Sequence, residues 1–209
     1  LPSALEVESY YQSLLEHYDT LIVLSVSKEL SGTWKRMILS AERFNEEKKR
    51  IAVIDSCLNS AAQGLLVTKI AHKASMGADL DELISLSENL KKRIKIYVTV
   101  KTFKFMVKGG RVSPIKGFIG KLLNLKPIVS LDEKGKGISF DKSFSSKGLM
   151  KKIARIVSHT MESKGIDEYA IVHADSIQKA TDFASLISHI TGKEPLYITD
   201  ISPIVGMHS

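Results

Sequence analysis

Two apolar runs constrain this chain more than anything else in it. Leu21-Ile22-Val23-Leu24-Ser25-Val26-Ser27 and Ile51-Ala52-Val53-Ile54-Asp55-Ser56 are continuous rather than alternating in apolarity, rich in β-branched residues, and closed by hydroxyl or acidic side chains. That pattern predicts strands buried on both faces, as in a parallel α/β sheet, where ligands collect beyond the carboxyl ends of the strands. Ser27, Ser31, Asp55 and Ser56 all fall at those ends. After the first run, Lys28-Glu29-Leu30-Ser31-Gly32-Thr33 leads into Trp34, Met37, Ile38 and Ala41 at helical spacing, which reads as strand, loop and helix start. The first amides of a helix lack intrahelical partners and carry the positive end of its dipole, so hydroxyls placed there can seat an anion. The same hydroxyls of Ser31 and Thr33 can equally serve as helix caps.

The flanking segments extend this alternation. Ser3-Ala4-Leu5-Glu6 has the form of a capping box and predicts a helix to about Tyr18, with Leu5, Val7, Tyr11, Leu14 and Leu15 covering the sheet. Asn59-Ser60 opens a long helix that Gly77 stops, and Asp79 caps another that runs into Lys91-Lys92-Arg93. From Ile94 to Val100 the apolar period changes to two, as in a half-exposed strand, which places a domain boundary near Arg93: a first α/β domain over 1–93 and a second α+β domain over 94–209. The second half reads as a short helix over Phe103 to Lys108, a glycine turn at Gly109-Gly110-Arg111, and an apolar helical face of Ile115, Phe118, Ile119 and Leu122. A β-hairpin from Pro127 to Asp141 follows, then helices from about Ser145 and Ser176 alternating with strands near Glu168 and Glu194. Ile204 to Ser209 reads as a further strand. The expected fold class is therefore α/β in two domains, the second with a mixed or antiparallel sheet.

Composition excludes several classes of function. No apolar run approaches the roughly 20 residues of a membrane helix, and no basic-then-apolar signal segment opens the chain. A single cysteine, Cys57, allows no intrachain disulfide, which fits a reducing, cytoplasmic setting. Six scattered histidines without ligand spacing argue against a bound metal. The formal charge of +7 is concentrated: Lys91 to Lys152 carries 17 Lys and Arg against three Asp and Glu. Such a basic face suits phosphate groups, an acidic protein or nucleic acid, or simple solvation. Lys101-Thr102-Phe103-Lys104-Phe105 interleaves aromatics with charge, but equally forms one helical turn with Phe103 and Met106 inward, and nucleic acid is not the expected partner.

With these pieces in order, the sequence resembles the DegV family. The matching stretches are Pro2-Ser3, Leu30-Ser31-Gly32-Thr33, Ile54-Asp55-Ser56, Lys108-Gly109-Gly110-Arg111-Val112-Ser113, Leu122-Leu123-Asn124-Leu125-Lys126-Pro127-Ile128 and Val205-Gly206-Met207-His208, in family order along essentially the whole chain. The resemblance implies a two-domain protein that buries one long-chain fatty acid and presents its carboxyl group to a separate ATP-binding kinase subunit. The product is an acyl phosphate for phospholipid synthesis, and the protein itself holds no cofactor. It further implies that Ser31, with Gly32 and Thr33, binds the carboxylate, that His208 lies near the same oxygens, and that Arg111 sits where the kinase docks or phosphate passes. Ile115, Phe118, Ile119 and Leu122 are the expected acyl-chain pocket. The family's Thr-Ser pair and first strands would precede Leu1, and its Gly-Pro-Gly would follow His208, so the chain reads as part of a longer DegV module. Where many relatives have Lys-x-Arg after the hairpin, this chain has Lys142-Ser143-Phe144.

Two other functions compete with lipid binding. An acyl hydrolase could use Ser31 as nucleophile and His208 as base, although the Gly-x-Ser-x-Gly elbow is missing. A nucleic-acid or phosphate binder could use the basic face and would bind with steep salt dependence.

Overall fold

A computed structural model describes residues 1–46, 50–102, 104–112 and 125–206. The chain forms two units: Leu1–Lys95 with Leu131–Lys136, and Ile96–Ser130 with Gly137–Ser209.

In the first unit, α1 (Ala4–Leu15) begins with the capping box read from the sequence. Ser3 Oγ accepts from the Glu6 amide at 3.2 Å and Glu6 Oε2 accepts from the Ser3 amide at 2.7 Å. The helix ends at Leu15, short of Tyr18, where the Arg50 guanidinium donates to the carbonyls of Leu15, Tyr18 and Asp19 at 3.3, 3.1 and 2.8 Å. Strand β1 (Leu21–Ser25) pairs in parallel with β2 (Ile51–Asp55), Leu21 opposite Ile51 and Ser25 opposite Asp55, and α2 (Thr33–Glu42) connects them. Leu21, Val23, Ile51 and Val53 pack with Val7, Tyr11, Met37 and Ala41 of α1 and α2. Side chains alternate across a strand, so Ile22, Leu24, Ala52 and Ile54 face the other side, where α4 packs. These residues are half-buried, short of the full burial expected. Leu5 is 77% exposed: it shares the helical period but projects away from the sheet, a correction to its expected core place.

Helix α3 (Ser60–Ser75) buries Leu66 and Ile70 and packs on α4 (Leu80–Arg93). Asp79 and Glu82 form a second capping box at the start of α4.

The second unit holds a three-stranded sheet of β3 (Val98–Thr99), β4 (Lys126–Leu131) and β5 (Gly137–Ser143), in that order. The strand expected from Ile94 to Val100 shrinks to two paired residues, Val98 and Thr99, antiparallel to β4. Its predicted solvent face is also wrong, because Tyr97 packs beside Ile128, Leu149 and Ile153 and meets Phe140 edge-on at 5.2 Å. Short helix α5 (Lys104–Lys108) turns Met106 and Val107 toward Val100, Val112 and Val129. Helices α6 (Ser146–Lys164) and α7 (Ile177–Thr191) pack together, and α7 covers a parallel pair, β6 (Ile171–His173) and β7 (Ile198–Asp200). The last described element is α8 (Pro203–Gly206), where a strand was expected. Proline lacks the amide a ladder needs and suits a first helical turn, and the Val205 and Gly206 amides close onto Ser202 at 3.1 and 2.9 Å.

Candidate functional site

The carboxyl ends of β1 and β2 in the first unit carry an unusual density of buried polar groups. Ser25, Ser27 and Ser56 are at most 1% exposed, and Asp55 is 9% exposed. The Asp55 carboxylate ties the two strand-to-helix loops together, because Oδ1 accepts from the Lys28 amide at 3.2 Å and from the Cys57 amide at 3.0 Å. Asp55 Oδ2 lies 3.5 Å from the Lys28 ammonium but takes no hydrogen bond among the described residues. The same ammonium stands 5.3 Å from the Trp34 ring centroid. Lys91, from the end of α4, donates to the Asp55 main-chain carbonyl at 3.0 Å and pairs with Glu88 at 2.7 Å. Cys57 and Ser60 both have positive φ, so the loop between β2 and α3 is held in a conformation non-glycine residues seldom adopt. Burial, followed by the Asp55 charge, pushes the Cys57 thiol up.

Ser31, Gly32 and Thr33 lie together at the start of α2. Gly32 occupies the N-cap position and offers no side-chain bond. Ser31 Oγ instead takes the Thr33 amide at 3.2 Å and sits 2.8 Å from Thr33 Oγ1. Two hydroxyls bring two protons, and their mutual bond uses one. The other can donate to an outside acceptor such as a carboxylate oxygen. This motif begins one residue before an ordinary cap, and its hydroxyl pair serves the Thr33 amide while keeping one proton to donate. A general base would have to reach Ser31 for nucleophilic chemistry, and its partners in this motif are a hydroxyl and an amide.

Arg111 belongs to the second unit, just after α5. Gly109, Gly110 and Arg111 turn their amides back to Phe105, Val107 and Met106 at 2.9, 3.0 and 3.0 Å, with Gly110 at φ +72°. The half-buried Arg111 guanidinium bonds the Gly109 carbonyl. His208, Ile115, Phe118, Ile119 and Leu122 lie outside the described residues. A cleft of about 350 Å³ in the first unit is lined by Ile38, Ala41, Glu42, Asn45, Glu46, Ile51 and Val53. It holds none of the candidate residues, and two carboxylates at its wall suit it poorly to an acyl chain. Among the described residues no three His, Cys, Asp or Glu side chains gather as a metal site, and no helix is long and apolar enough to cross a membrane.

Sequence reasoning missed two contributors here: Lys91 and the Lys28–Trp34 contact.

The sequence model of the uncharacterised protein family DegV matches residues 1–209. A DegV domain-containing protein of Clostridium acetobutylicum is 29% identical over 210 residues, covering 100% of this chain and 74% of that protein. Among solved structures, the fatty acid binding DegV family protein from Streptococcus agalactiae matches with a TM-score of 0.87 at 27% identity, over 99% of this chain and 72% of that one. DegV, a fatty acid binding protein from Bacillus subtilis, matches with a TM-score of 0.86 at 26% identity, over 99% and 73%.

Proposed function

Because the chain belongs to the DegV family, we propose that it binds a long-chain fatty acid, with the carboxylate at Ser31, Gly32 and Thr33, and presents that carboxyl group to a partner ATP-dependent kinase for acyl-phosphate formation. The observation that carries this reading is the Ser31–Thr33 hydroxyl pair, which keeps one proton to donate at the start of α2. It occurs in a chain whose fold matches two fatty-acid-binding proteins along 99% of its length. Burial of a long acyl tail at about 25 cal/mol per Å² supplies most of the affinity, and a few polar groups then fix the head. His208 completes the head-group site in this proposal, Ile115, Phe118, Ile119 and Leu122 line the tail, and Arg111 with the surrounding lysines receives the kinase or the phosphate in transit. The protein supplies binding and orientation, and the kinase supplies the chemistry. In this proposal a first domain of about 1–93 and a second of 94–209 divide the work, with the turn Leu131–Lys136 belonging to the first unit.

The test is organic extraction and mass spectrometry of the purified chain, wild type against Ser31→Ala. Wild type is expected to carry a long-chain fatty acid and the variant markedly less. Equal retention removes Ser31 from the head-group site, and covalent labelling of Ser31 by a fluorophosphonate overturns the non-catalytic reading in favour of a hydrolase. Addition of a fatty acid kinase subunit with ATP should yield acyl phosphate, trapped as the hydroxamate.

A further inference from the structure

Ser27 is fully buried, and every polar atom it has is engaged. Its amide donates to the Leu58 carbonyl at 2.8 Å. Its carbonyl accepts from the amides of Leu30 and Ser31 at 3.0 and 3.1 Å. Its hydroxyl accepts from the Glu29 amide at 3.2 Å and donates to the Gly135 carbonyl at 2.8 Å. The bend that delivers Ser31 to the start of α2 is thus wound around one serine, and the proton of that serine points to a residue 108 positions further along the chain.

Gly135 is shaped for this contact. It is buried with φ +82°, and a Cβ added there would stand 2.3 Å from Ser27 Oγ and 2.7 Å from the Cys57 Cα. The turn carrying it is fastened by Asp132, whose Oδ1 accepts from the Lys134 and Lys136 amides at 2.9 Å each, while the Gly135 amide bonds the Asp132 carbonyl at 3.0 Å. A rigid turn therefore presents one carbonyl to one buried hydroxyl.

We propose that Ser27 and the Asp132–Gly135 turn are positioning elements for the Ser31 hydroxyl: the turn fixes the Ser27 proton, and Ser27 fixes the loop that sets Ser31. The proposal rests on the head-group reading given above. Removing the Ser27 hydroxyl strands the Glu29 amide and the Gly135 carbonyl, and the loop repacks to satisfy them. A head-group seat displaced in this way loses its discrimination for a carboxylate, while tail affinity, which comes from buried apolar surface, persists.

The experiment compares wild type, Ser27→Ala and Asp132→Ala, all full chain and delipidated, by displacement of a fluorescent fatty acid with oleate or with oleyl alcohol. In both variants oleate is expected to weaken roughly tenfold while oleyl alcohol holds. Asp132 lies in an exposed turn, so that variant carries the test alone if Ser27→Ala does not fold. Hydrogen exchange on the lipid-free chain gives a second readout: residues 28–33 should exchange faster in the variants, with β1 and β2 unchanged. Equal weakening of acid and alcohol, or unchanged exchange at 28–33, overturns the positioning role. A wild type with slow exchange at 28–33 that binds neither lipid counts against the fatty-acid reading and leaves the role of Ser27 in the loop standing.

Discussion

The Cys57 amide donates to Asp55 Oδ1 at 3.0 Å, which sets a half-buried thiol against a carboxylate. Burial is the larger cause of its raised pKa and the Asp55 charge the next, with Lys91 and Lys28 acting in the opposite sense. The thiolate is the reacting species. Cys57 is therefore expected to alkylate with iodoacetamide more slowly near pH 8 than an unhindered cysteine, with its rate still rising above pH 9. Asp55→Asn keeps an acceptor for the two amides, removes the charge, and should speed alkylation severalfold. Identical rate–pH profiles for variant and wild type would remove Asp55 as a cause.

Tyr11 is 4% exposed, and burial pushes its phenol up from 10.0 to about 12. The unfolded chain releases this proton first, so its contribution to stability is complete below pH 10 and is lost progressively as the pH rises to about 12. Denaturant unfolding between pH 9 and pH 12 should show this decline. Tyr11→Phe should flatten it, and at neutral pH should cost only about 0.5–1.5 kcal/mol for the hydrogen bond to the Met37 carbonyl. An unchanged alkaline slope in the variant would assign the decline to other groups.

The parts of the fold that were legible in the sequence are those whose cause is local. The parallel pair follows from two apolar runs with a helix between them, and the starts of α1 and α4 follow from the Ser3–Glu6 box and from Asp79 as a cap. The run Ile94 to Val100 misled because period two reports only that alternate residues are apolar. Tyr97, on the supposedly wet side, is a large ring that the sheet covers with α6 residues and Phe140. Ile204 misled in the same way, since one proline and a serine outweigh a short apolar run. At the candidate site, Ser31 was visible as a hydroxyl before a helix. The Gly135 contact with Ser27 was not, because no local pattern records a hydrogen bond spanning 108 residues.

Ile128 is 0% exposed at the centre of the cluster with Leu149 and Ile153. Ile128→Val should cost about 0.5–1.5 kcal/mol and Ile128→Ala about 2–5 kcal/mol in urea unfolding, the larger loss reflecting the cavity left beneath α6. Phe144→Ala, at a side chain 75% exposed, should change stability by less than about 0.5 kcal/mol. A reversal of this order would mean that the second unit is not organised around β4.

Lys91 supplies the sharpest test of how the carboxyl end of β2 is held. Its side chain is 14% exposed, and its ammonium reaches both the Asp55 main-chain carbonyl and Glu88. Lys91→Met keeps most of the apolar stem and deletes the donor, leaving that carbonyl without its bond from α4 at a cost of about 1–3 kcal/mol. Glu88→Gln touches the more exposed half of the pair and should cost under about 1 kcal/mol. The same two substitutions separate electrostatics from packing at Cys57. Lys91 lowers the thiol pKa, so Lys91→Met should slow alkylation while Asp55→Asn speeds it. If both variants speed the reaction, loosening of the loop between β2 and α3 rather than charge controls the thiol, and the placement of Asp55 as the tie between the two loops gains a second support.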